Sequence, residues 1–208
     1  MTMCADPGAA HFVGSHAAAL PVRNPLWPQP PTQRCKDLVV RLEAFVAQHI
    51  LPVKAAFTAH SVSAQRWHSF PAMASLKAAA KREGLWNLWI SPDAATAVQP
   101  CIAAAGVRGS EAALLRGPGL SNVEYAFCAK IMGRVLWCSE VFNCSAPDTG
   151  NMEVLARYGS PAQQRAWLLP LLRGSVRSCF AMTEPDVASS DATNIRGVAS
   201  KAGAGCTD

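Results

Sequence analysis

The sequence predicts a mainly α-helical chain in which β structure begins only near the end. Apolar residues recur every three or four positions over much of the chain, which is typical of helices with one buried face. Two Ser-x-x-Glu or Ser-x-x-Gln tetrads have the spacing of a helix N-terminal capping box. The run from 176 to 183 shows a mixed alternation of apolar and polar residues, which favours the beginning of a strand there.

The first predicted helix follows a Pro/Ala-rich leader, residues 1–35, which we expect to be flexible. Its apolar stripe consists of Leu38, Leu42, Phe45, Val46, His49 and Ile50. Pro52 is expected to end this helix. A second helix is predicted to begin near Pro71, with Ser69 as a possible cap, and to end at Gly84, which suits a left-handed C-terminal position.

The middle of the chain changes character. Residues 85–90 form a short apolar stretch, and residues 94–118 are rich in Ala and Gly, with little charge and no clean period. We therefore expect a loose insertion or linker over 94–118. Helical order is expected to return at Ser121–Glu124, the first of the two capping tetrads.

The last predicted helices precede the strand-like run. One passes through Met152 and ends at Gly159, and the next begins at the second tetrad, Ser160–Gln163, with proline at its first position. This helix is expected to stop before Pro170. The chain is thus predicted to be helical until about residue 174.

Composition and charge argue against several classes of protein. Half of the 208 residues are apolar and 16% are charged, which suits a globular core. The net charge is +5, but no basic cluster exceeds Lys81–Arg82, so a nucleic-acid surface is not expected. The eight cysteines form no C-x-x-C pair, so we expect buried free thiols rather than a zinc site or disulfides. No apolar run approaches the length of a membrane span.

The segment with most chemical information is Phe180–Asp191. A strand-like run ends at the hydroxyl of Thr183, Pro185 imposes a turn, and small residues then allow close approach of backbone amides to a ligand. Such a loop can satisfy the polar edge of a ring or an anionic phosphate, although many ordinary turns contain the same residues.

This segment is similar to the acyl-CoA dehydrogenase signature, in which Thr-Glu-Pro is followed by small residues and Ser-Asp. Further stretches strengthen the resemblance and are similar to the branch containing acyl-CoA dehydrogenase family members 10 and 11. These stretches are Met132–Arg134, Glu140–Cys144, Ala146–Glu153, Tyr158–Ser160 and Trp167–Leu172. The resemblance is strong over residues 119–194, weaker over 34–89 and absent elsewhere.

The resemblance implies a fold and a cofactor. Residues 36–174 would be the N-terminal helical domain of the family, and 175–208 the incomplete start of its middle β domain with an irregular tail. FAD is the implied cofactor, with Phe180, Met182, Thr183 and Ser189 binding it. Ser190 would lie at the boundary with the acyl-CoA substrate. The spacing from Pro185 to Asp191 is one residue longer than is commonest in the family, so positions 186–189 could shift by one.

The implied reaction is α,β-dehydrogenation of a fatty acyl-CoA, with a carboxylate base removing the α-proton and a hydride passing from the β-carbon to the flavin. The resemblance implies that the base lies in a C-terminal region that this chain lacks. Glu184 is not expected to replace it, because it matches a structural glutamate of the motif. We therefore expect the 208-residue chain by itself to be a truncated, inactive fragment of a dehydrogenase. A non-catalytic helical interaction module, or a non-functional truncated product, is the alternative.

The resemblance also implies partners and a compartment. Electron-transfer flavoprotein or oxygen would accept the electrons, and the intact family forms homo-oligomers. A mitochondrial location is expected, with the peroxisome as the alternative, partly because residues 7–36 contain no acidic residue.

Overall fold

A computed structural model describes residues 31–187 and 191–198 as a bundle of short helices. The described residues do not include residues 1–30 of the predicted leader, the site residues Ser189 and Ser190, or the tail from 199 onward. The mainly helical class is confirmed. The described helices are α1 (Gln33–Phe45), α2 (Lys54–Ser61), α3 (Met73–Arg82), α4 (Pro92–Ala104), α5 (Gly109–Arg116), α6 (Asn122–Met132), α7 (Cys138–Val141), α8 (Asp148–Tyr158), α9 (Pro161–Gln163) and α10 (Leu169–Arg173).

Several of these helices continue into one another through tighter or wider turns. After α1 comes a π-helical turn, Val46–Ile50, and a 3₁₀ turn, Leu51–Val53, which leads directly into α2. Pro52 therefore does not end the helical course as predicted, because it sits in the first turn of the 3₁₀ segment, where its missing N–H is not needed. A second π-helical turn, Gln164–Leu168, joins α9 to α10.

Both predicted capping boxes are confirmed. Ser121 accepts a hydrogen bond from the amide of Glu124, whose side chain accepts from the amide of Ser121, at the start of α6. Ser160 and Gln163 make the same reciprocal pair at the start of α9. Each box satisfies two amide groups that a helix N-terminus otherwise leaves unpaired, so the local sequence is sufficient to place these starts.

The loose linker predicted over residues 94–118 was wrong. Helices α4 and α5 occupy most of it, and Ser91 caps α4 by accepting from the amide of Ala94. The missing period in the sequence has a simple cause. The buried face of α4 consists of Ala94, Val98, Cys101 and Ile102, but four of the five alanines of this helix lie off that face, so its two sides show little hydrophobic contrast.

Three smaller predictions also need correction. The second helix begins at Met73, without a side-chain cap from Ser69. The final helix continues through Pro170, which lies in the first turn of α10, and ends at Arg173. The strand expected over 176–183 is absent: within the described ranges the only β pairing is an isolated bridge between Glu184 and Val187. No neighbouring strand is available in these ranges to pair with the segment.

Two packed clusters form the core. The first lies between α1, α3 and α6 and contains Trp86, Phe45 and Phe142, which are almost completely buried. The second lies between α4, α8 and α10 and contains Ile102, Met152 and Leu172. Trp89 contacts both clusters. Trp89 thus links the two clusters, and α10 packs on α8. These contacts fix the position of the end of α10 relative to the core.

Candidate functional site

The candidate site begins where α10 ends, at Gly174. This glycine adopts a left-handed conformation with φ of 64°, which terminates the helix and turns the chain outward. A Cβ atom at this position would lie 2.6 Å from Cζ2 of Trp86. Both the backbone angle and the close approach of the indole ring therefore require glycine here.

A buried amide cluster holds the last carbonyl groups of α10. The carbonyl of Leu172 accepts hydrogen bonds from Nε1 of Trp86 (2.9 Å) and Nδ2 of Asn87 (3.1 Å). Nδ2 of Asn143 donates to the carbonyl of Leu171 (2.9 Å) and to Oδ1 of Asn87 (2.7 Å). Helix C-termini leave carbonyl groups unpaired, so these side chains satisfy acceptors that would otherwise be buried alone.

Asn87 and Asn143 both have a positive φ, at 53° and 55°. Asparagine tolerates this conformation better than most residues with a side chain. Sequence reasoning missed the pair, although one signal was available: Asn87 is a polar residue inside the otherwise apolar stretch 85–90. Trp86, in the same stretch, packs in the core and is 1% exposed.

The two residues after Val176 are held by Asp148, the first residue of α8. Its Oδ1 accepts hydrogen bonds from the amide (2.7 Å) and the hydroxyl (2.6 Å) of Ser178, and its Oδ2 accepts from Nε of Arg177. Asn151, one turn along α8, donates to the Ser178 hydroxyl at 2.8 Å. The course of the chain between the end of α10 and Phe180 is therefore fixed by these hydrogen bonds to α8.

Arg177 and Lys77 share a second carboxylate, that of Glu140. Nη1 of Arg177 lies 2.6 Å and Nζ of Lys77 lies 2.9 Å from Glu140 Oε1. Burial raises the pKa of Glu140, but hydrogen bonds from Lys77 and Arg177 outweigh it, and the net pKa is lowered. Burial lowers the pKa of Arg177, while the hydrogen bond and charge of Glu140 raise it more. We call Lys77, Glu140, Arg177 and Asp148 the charge network.

Three of the four predicted cofactor-binding residues, Phe180, Met182 and Thr183, follow this anchored stretch and lie within the described residues. The side chain of Phe180 is 67% exposed, Thr183 is exposed and Met182 is half-buried. Within the described residues the Thr183 hydroxyl makes no hydrogen bond to another residue. An aromatic ring and a hydroxyl donor are thus exposed, whereas the Ser178 amide, two residues before Phe180, already donates a hydrogen bond to Asp148.

Glu184 anchors the chain on the C-terminal side of Phe180–Thr183. Its Oε2 accepts from the amide of Arg196 (2.9 Å) and its Oε1 from the amide of Gly197 (2.7 Å). Close by, Asp191 accepts from the amide (2.9 Å) and hydroxyl (2.6 Å) of Thr193, and these bonds lower its pKa. Both carboxylates therefore organise backbone, which is a structural task.

A cavity of about 330 Å³ adjoins the start of the segment. Its walls are mainly apolar and include Val154, Trp167 and Val176, and its polar end is formed by Asn151, Arg177 and Ser178. It lies against the residues before Phe180 rather than against Thr183.

The thiols and metal-ligating residues form no second site in the described part of the chain. Among the six free cysteines described, only Cys179 is exposed. Burial raises the pKa of Cys128, Cys138 and Cys144 to about 12, which leaves these thiols protonated and unreactive. The same described residues contain no group of three or more His, Cys, Asp or Glu side chains that could hold a metal ion. None of the helices seen there is long and apolar enough to cross a membrane.

Comparison with known proteins gives a consistent result. Residues 101–175 match the N-terminal domain of acyl-CoA dehydrogenases. The chain is 47% identical over 169 residues to the acyl-CoA dehydrogenase homologue IBR3 of Arabidopsis thaliana, covering 79% of this chain and 20% of the relative. It is 46% identical over 160 residues to acyl-CoA dehydrogenase family member 10 of Mus musculus, covering 77% of this chain and 14% of the relative.

A solved structure shows the same similarity. An acyl-CoA dehydrogenase homologue from Mycobacterium abscessus superposes with a TM-score of 0.64 at 43% sequence identity, covering 79% of this chain and 38% of that protein. The chain thus spans about a fifth or less of the first two relatives and less than half of this solved protein. The match begins inside residues 94–118, where no resemblance was expected, because the end of α4 and all of α5 lie in the matched range.

Proposed function

Because this chain carries the N-terminal helical domain of the acyl-CoA dehydrogenase family, we propose that it contributes that domain and one wall of the flavin site to a FAD-dependent acyl-CoA dehydrogenase. The observation that carries the proposal is the segment Phe180–Thr183. It is exposed and lies between two groups of anchoring carboxylate contacts, at Asp148 and at Glu184. A segment arranged in this way can receive a planar ligand without being reordered.

The residues present suit the isoalloxazine ring of FAD. Phe180 offers an exposed aromatic surface, and Met182 offers a polarisable side chain that adapts to a ring. Thr183 offers a hydroxyl donor for the polar edge of the ring. These three residues would hold one side of the cofactor, together with Ser189 as a further contact.

When bound, FAD supplies the acceptor for the hydride that leaves the β-carbon of the acyl group. The residues of this chain would orient the ring and exclude water from one of its sides, which preserves the geometry that hydride transfer requires. Ser190 is proposed to lie at the boundary with the acyl-CoA.

Glu184 is not proposed as the base that removes the α-proton. Both of its oxygens already accept hydrogen bonds from backbone amides, those of Arg196 and Gly197, so the carboxylate is engaged in holding the chain. We propose that a carboxylate outside residues 1–208 removes the proton.

A hybrid enzyme tests the role of Thr183. Residues 31–195 replace the matching region of a full-length acyl-CoA dehydrogenase relative, and Thr183→Val is compared with the parent hybrid. The substitution nearly keeps the shape but removes the hydroxyl. The lost hydrogen bond is worth about 0.5–1.5 kcal/mol. We therefore expect FAD affinity or the rate of flavin reduction to fall a few-fold to about tenfold.

Glu184→Gln serves as the matched comparison for the neighbouring residue. If Glu184 is structural, bleaching of the flavin by a panel of acyl-CoAs in stopped-flow measurements persists in this variant. Wild-type behaviour of Thr183→Val together with loss of bleaching in Glu184→Gln would reverse the two assignments. A parent hybrid that folds but binds no FAD would refute the flavin site altogether.

The isolated chain is proposed to hold FAD only weakly. A single exposed segment covers one side of the ring, whereas ligand sites normally bury most of the ligand surface. A purified 208-residue chain that stays yellow with stoichiometric FAD after gel filtration would contradict this expectation.

Partners and compartment are proposed on the family resemblance. Electron-transfer flavoprotein or oxygen would accept the electrons, and the complete protein would be a homo-oligomer in mitochondria, with the peroxisome as the alternative. Fusion of residues 1–35 to a fluorescent protein tests the compartment. Fluorescence that stays diffuse would argue against import directed by this leader.

A further inference from the structure

Asp148 is a buried carboxylate whose side chain, within the described residues, accepts hydrogen bonds only from Arg177 and Ser178, which lie just before Phe180–Thr183. Its side chain is 3% exposed, and it accepts two hydrogen bonds from Ser178 and one from Arg177, which are about thirty residues away in sequence. Buried carboxylates are costly unless paired and hydrogen-bonded, and here both conditions are met. Such a group fixes its partners firmly because any displacement leaves the charge unpaired.

The partners of Asp148 are backbone as well as side chain. The amide of Ser178 donates to Oδ1 at 2.7 Å, so the main chain itself is fixed two residues before Phe180. The Ser178 hydroxyl adds a second bond to the same oxygen and accepts a third from Asn151. The direction in which the chain enters Phe180 is therefore set by α8.

The charge network keeps Asp148 in place. Arg177 joins Asp148 to Glu140, and Lys77 joins Glu140 to α3. The network holds two carboxylates and two cations, so its formal charge is balanced. Asp148 also lies in the first turn of α8, where the helix dipole favours a negative charge.

We propose that Asp148 is a positioning residue for the flavin segment Phe180–Thr183. The inference rests on the proposed function, since it assigns to Asp148 the placement of a segment proposed to bind FAD. Among the described residues Asp148 makes no hydrogen bond to Phe180 or Thr183; it would act through Ser178. Loss of its charge should let the segment move without altering the groups that would contact the ring.

Cys179 provides a reporter inside the native chain. It is the only exposed thiol among the described cysteines and follows Ser178 directly. Iodoacetamide labelling of the 208-residue chain, read peptide by peptide by mass spectrometry, measures its reactivity separately from that of every other cysteine. Hydrogen exchange of the amides of residues 178–183 measures how freely the backbone moves in the same segment.

We expect Asp148→Asn to speed Cys179 labelling and exchange at the Ser178 amide several-fold, with the other helices unchanged. Asp93→Asn is the matched control, because Asp93 also lies in the first turn of a helix, α4, but is 74% exposed and pairs with Arg157. The control should leave Cys179 unchanged. Ser178→Ala removes only the hydroxyl and should give a smaller change in the same direction if Asp148→Asn fails to fold.

The hybrid enzyme separates positioning from general stability. Asp148→Asn should raise the FAD dissociation constant about tenfold, the expected effect of losing bonds to a charged acceptor. At saturating FAD, the rate of flavin reduction should stay within about twofold, because the segment is then held by its ligand.

The outcomes are distinct. Equal Cys179 labelling and exchange in wild type and in each folded variant would overturn the inference, whatever the hybrid binds. Faster labelling with an unchanged FAD dissociation constant would also overturn it. A parent hybrid that binds no FAD would overturn the proposed function, and the positioning role with it, while the labelling result would still decide whether Asp148 holds the segment.

Discussion

Replacing Glu124 by glutamine should destabilise the helical domain, because this carboxylate joins the N-termini of two helices. Its Oε1 accepts from the amide and hydroxyl of Thr32, which caps α1, and its Oε2 accepts from the amide and hydroxyl of Ser121, which caps α6. The side chain is 8% exposed. Glutamine keeps one acceptor oxygen but turns an NH₂ group toward donors, so at least one pair of bonds is lost.

The size of the effect follows from the acidity of the carboxyl. The hydrogen bond from Thr32 leads the contributions that lower the pKa of Glu124 from 4.5 to about 2. At about 1.36 kcal/mol per pKa unit, this displacement corresponds to an upper limit of about 3 kcal/mol. Since the amide oxygen retains part of the bonding, we expect Glu124→Gln to lower the free energy of unfolding by about 2 kcal/mol at pH 7.

The dependence on pH has a definite sign. The folded pKa is depressed, so the charged group stabilises the fold above the unfolded pKa, and this stability is lost as pH falls from about 4.5 to about 2. The difference between wild type and Glu124→Gln should therefore shrink over that range. Thermal unfolding followed by circular dichroism should show a midpoint about 4–8 °C lower for the variant at pH 7, and nearer to wild type at pH 2.5.

Glu43→Gln is the control for this experiment. Glu43 lies on α1 and pairs with Arg134, just after α6, so it links the same parts of the fold, but its side chain is 47% exposed. An exposed pair is worth about 0–1 kcal/mol, so this variant should stay close to wild type. If the two variants lose the same stability, or if the loss in Glu124→Gln is as large at pH 2.5 as at pH 6, the buried carboxylate does not have the role given to it here.

Two further predictions concern the end of α10 and the thiols. Gly174→Ala should lower the free energy of unfolding by at least about 1–2 kcal/mol, because alanine is strained at this φ and its Cβ would meet Trp86. Gly150→Ala, in α8 with nothing near the added Cβ, should instead be neutral or stabilising in the same denaturant titration; equal losses would contradict the close approach to Trp86. Labelling of the folded chain at pH 8 should modify Cys179 and leave the five buried described thiols unmodified until denaturant is added; rapid native labelling of any buried thiol would contradict its placement in the core.

The parts of the fold that the sequence predicts well are those decided by neighbouring residues. Both capping boxes involve partners three positions apart, so Ser121 and Ser160 could be recognised directly. Helix α4 was missed because most of its alanines lie off the buried face and reduce the hydrophobic contrast between its sides, although the helix packs against α8. Proline was misread twice, at Pro52 and Pro170, because its effect depends on whether the helix is beginning there or continuing.

The candidate site also has one part that the sequence predicts and one part that it does not. The flavin segment could be recognised because its residues are consecutive, and the assignment of Phe180, Met182, Thr183, Ser189 and Ser190 stays a prediction. The groups that hold the segment could not be recognised, since every contact joins residues far apart in sequence. Neither a period nor a propensity marks a bond between α8 and a residue thirty positions later.

The arrangement has a consequence for how the segment works. On the N-terminal side of Phe180–Thr183, the chain is fixed by the hydrogen bond from the Ser178 amide to Asp148. On the C-terminal side, Glu184 accepts hydrogen bonds from two backbone amides. The residues between these points expose an aromatic ring and a hydroxyl rather than burying them. A ligand that binds here gains contacts while little further chain must be ordered, which lowers the entropic cost of binding. The two carboxylates thus serve the proposed site by restricting the backbone around it, and the groups that would touch the ring remain available.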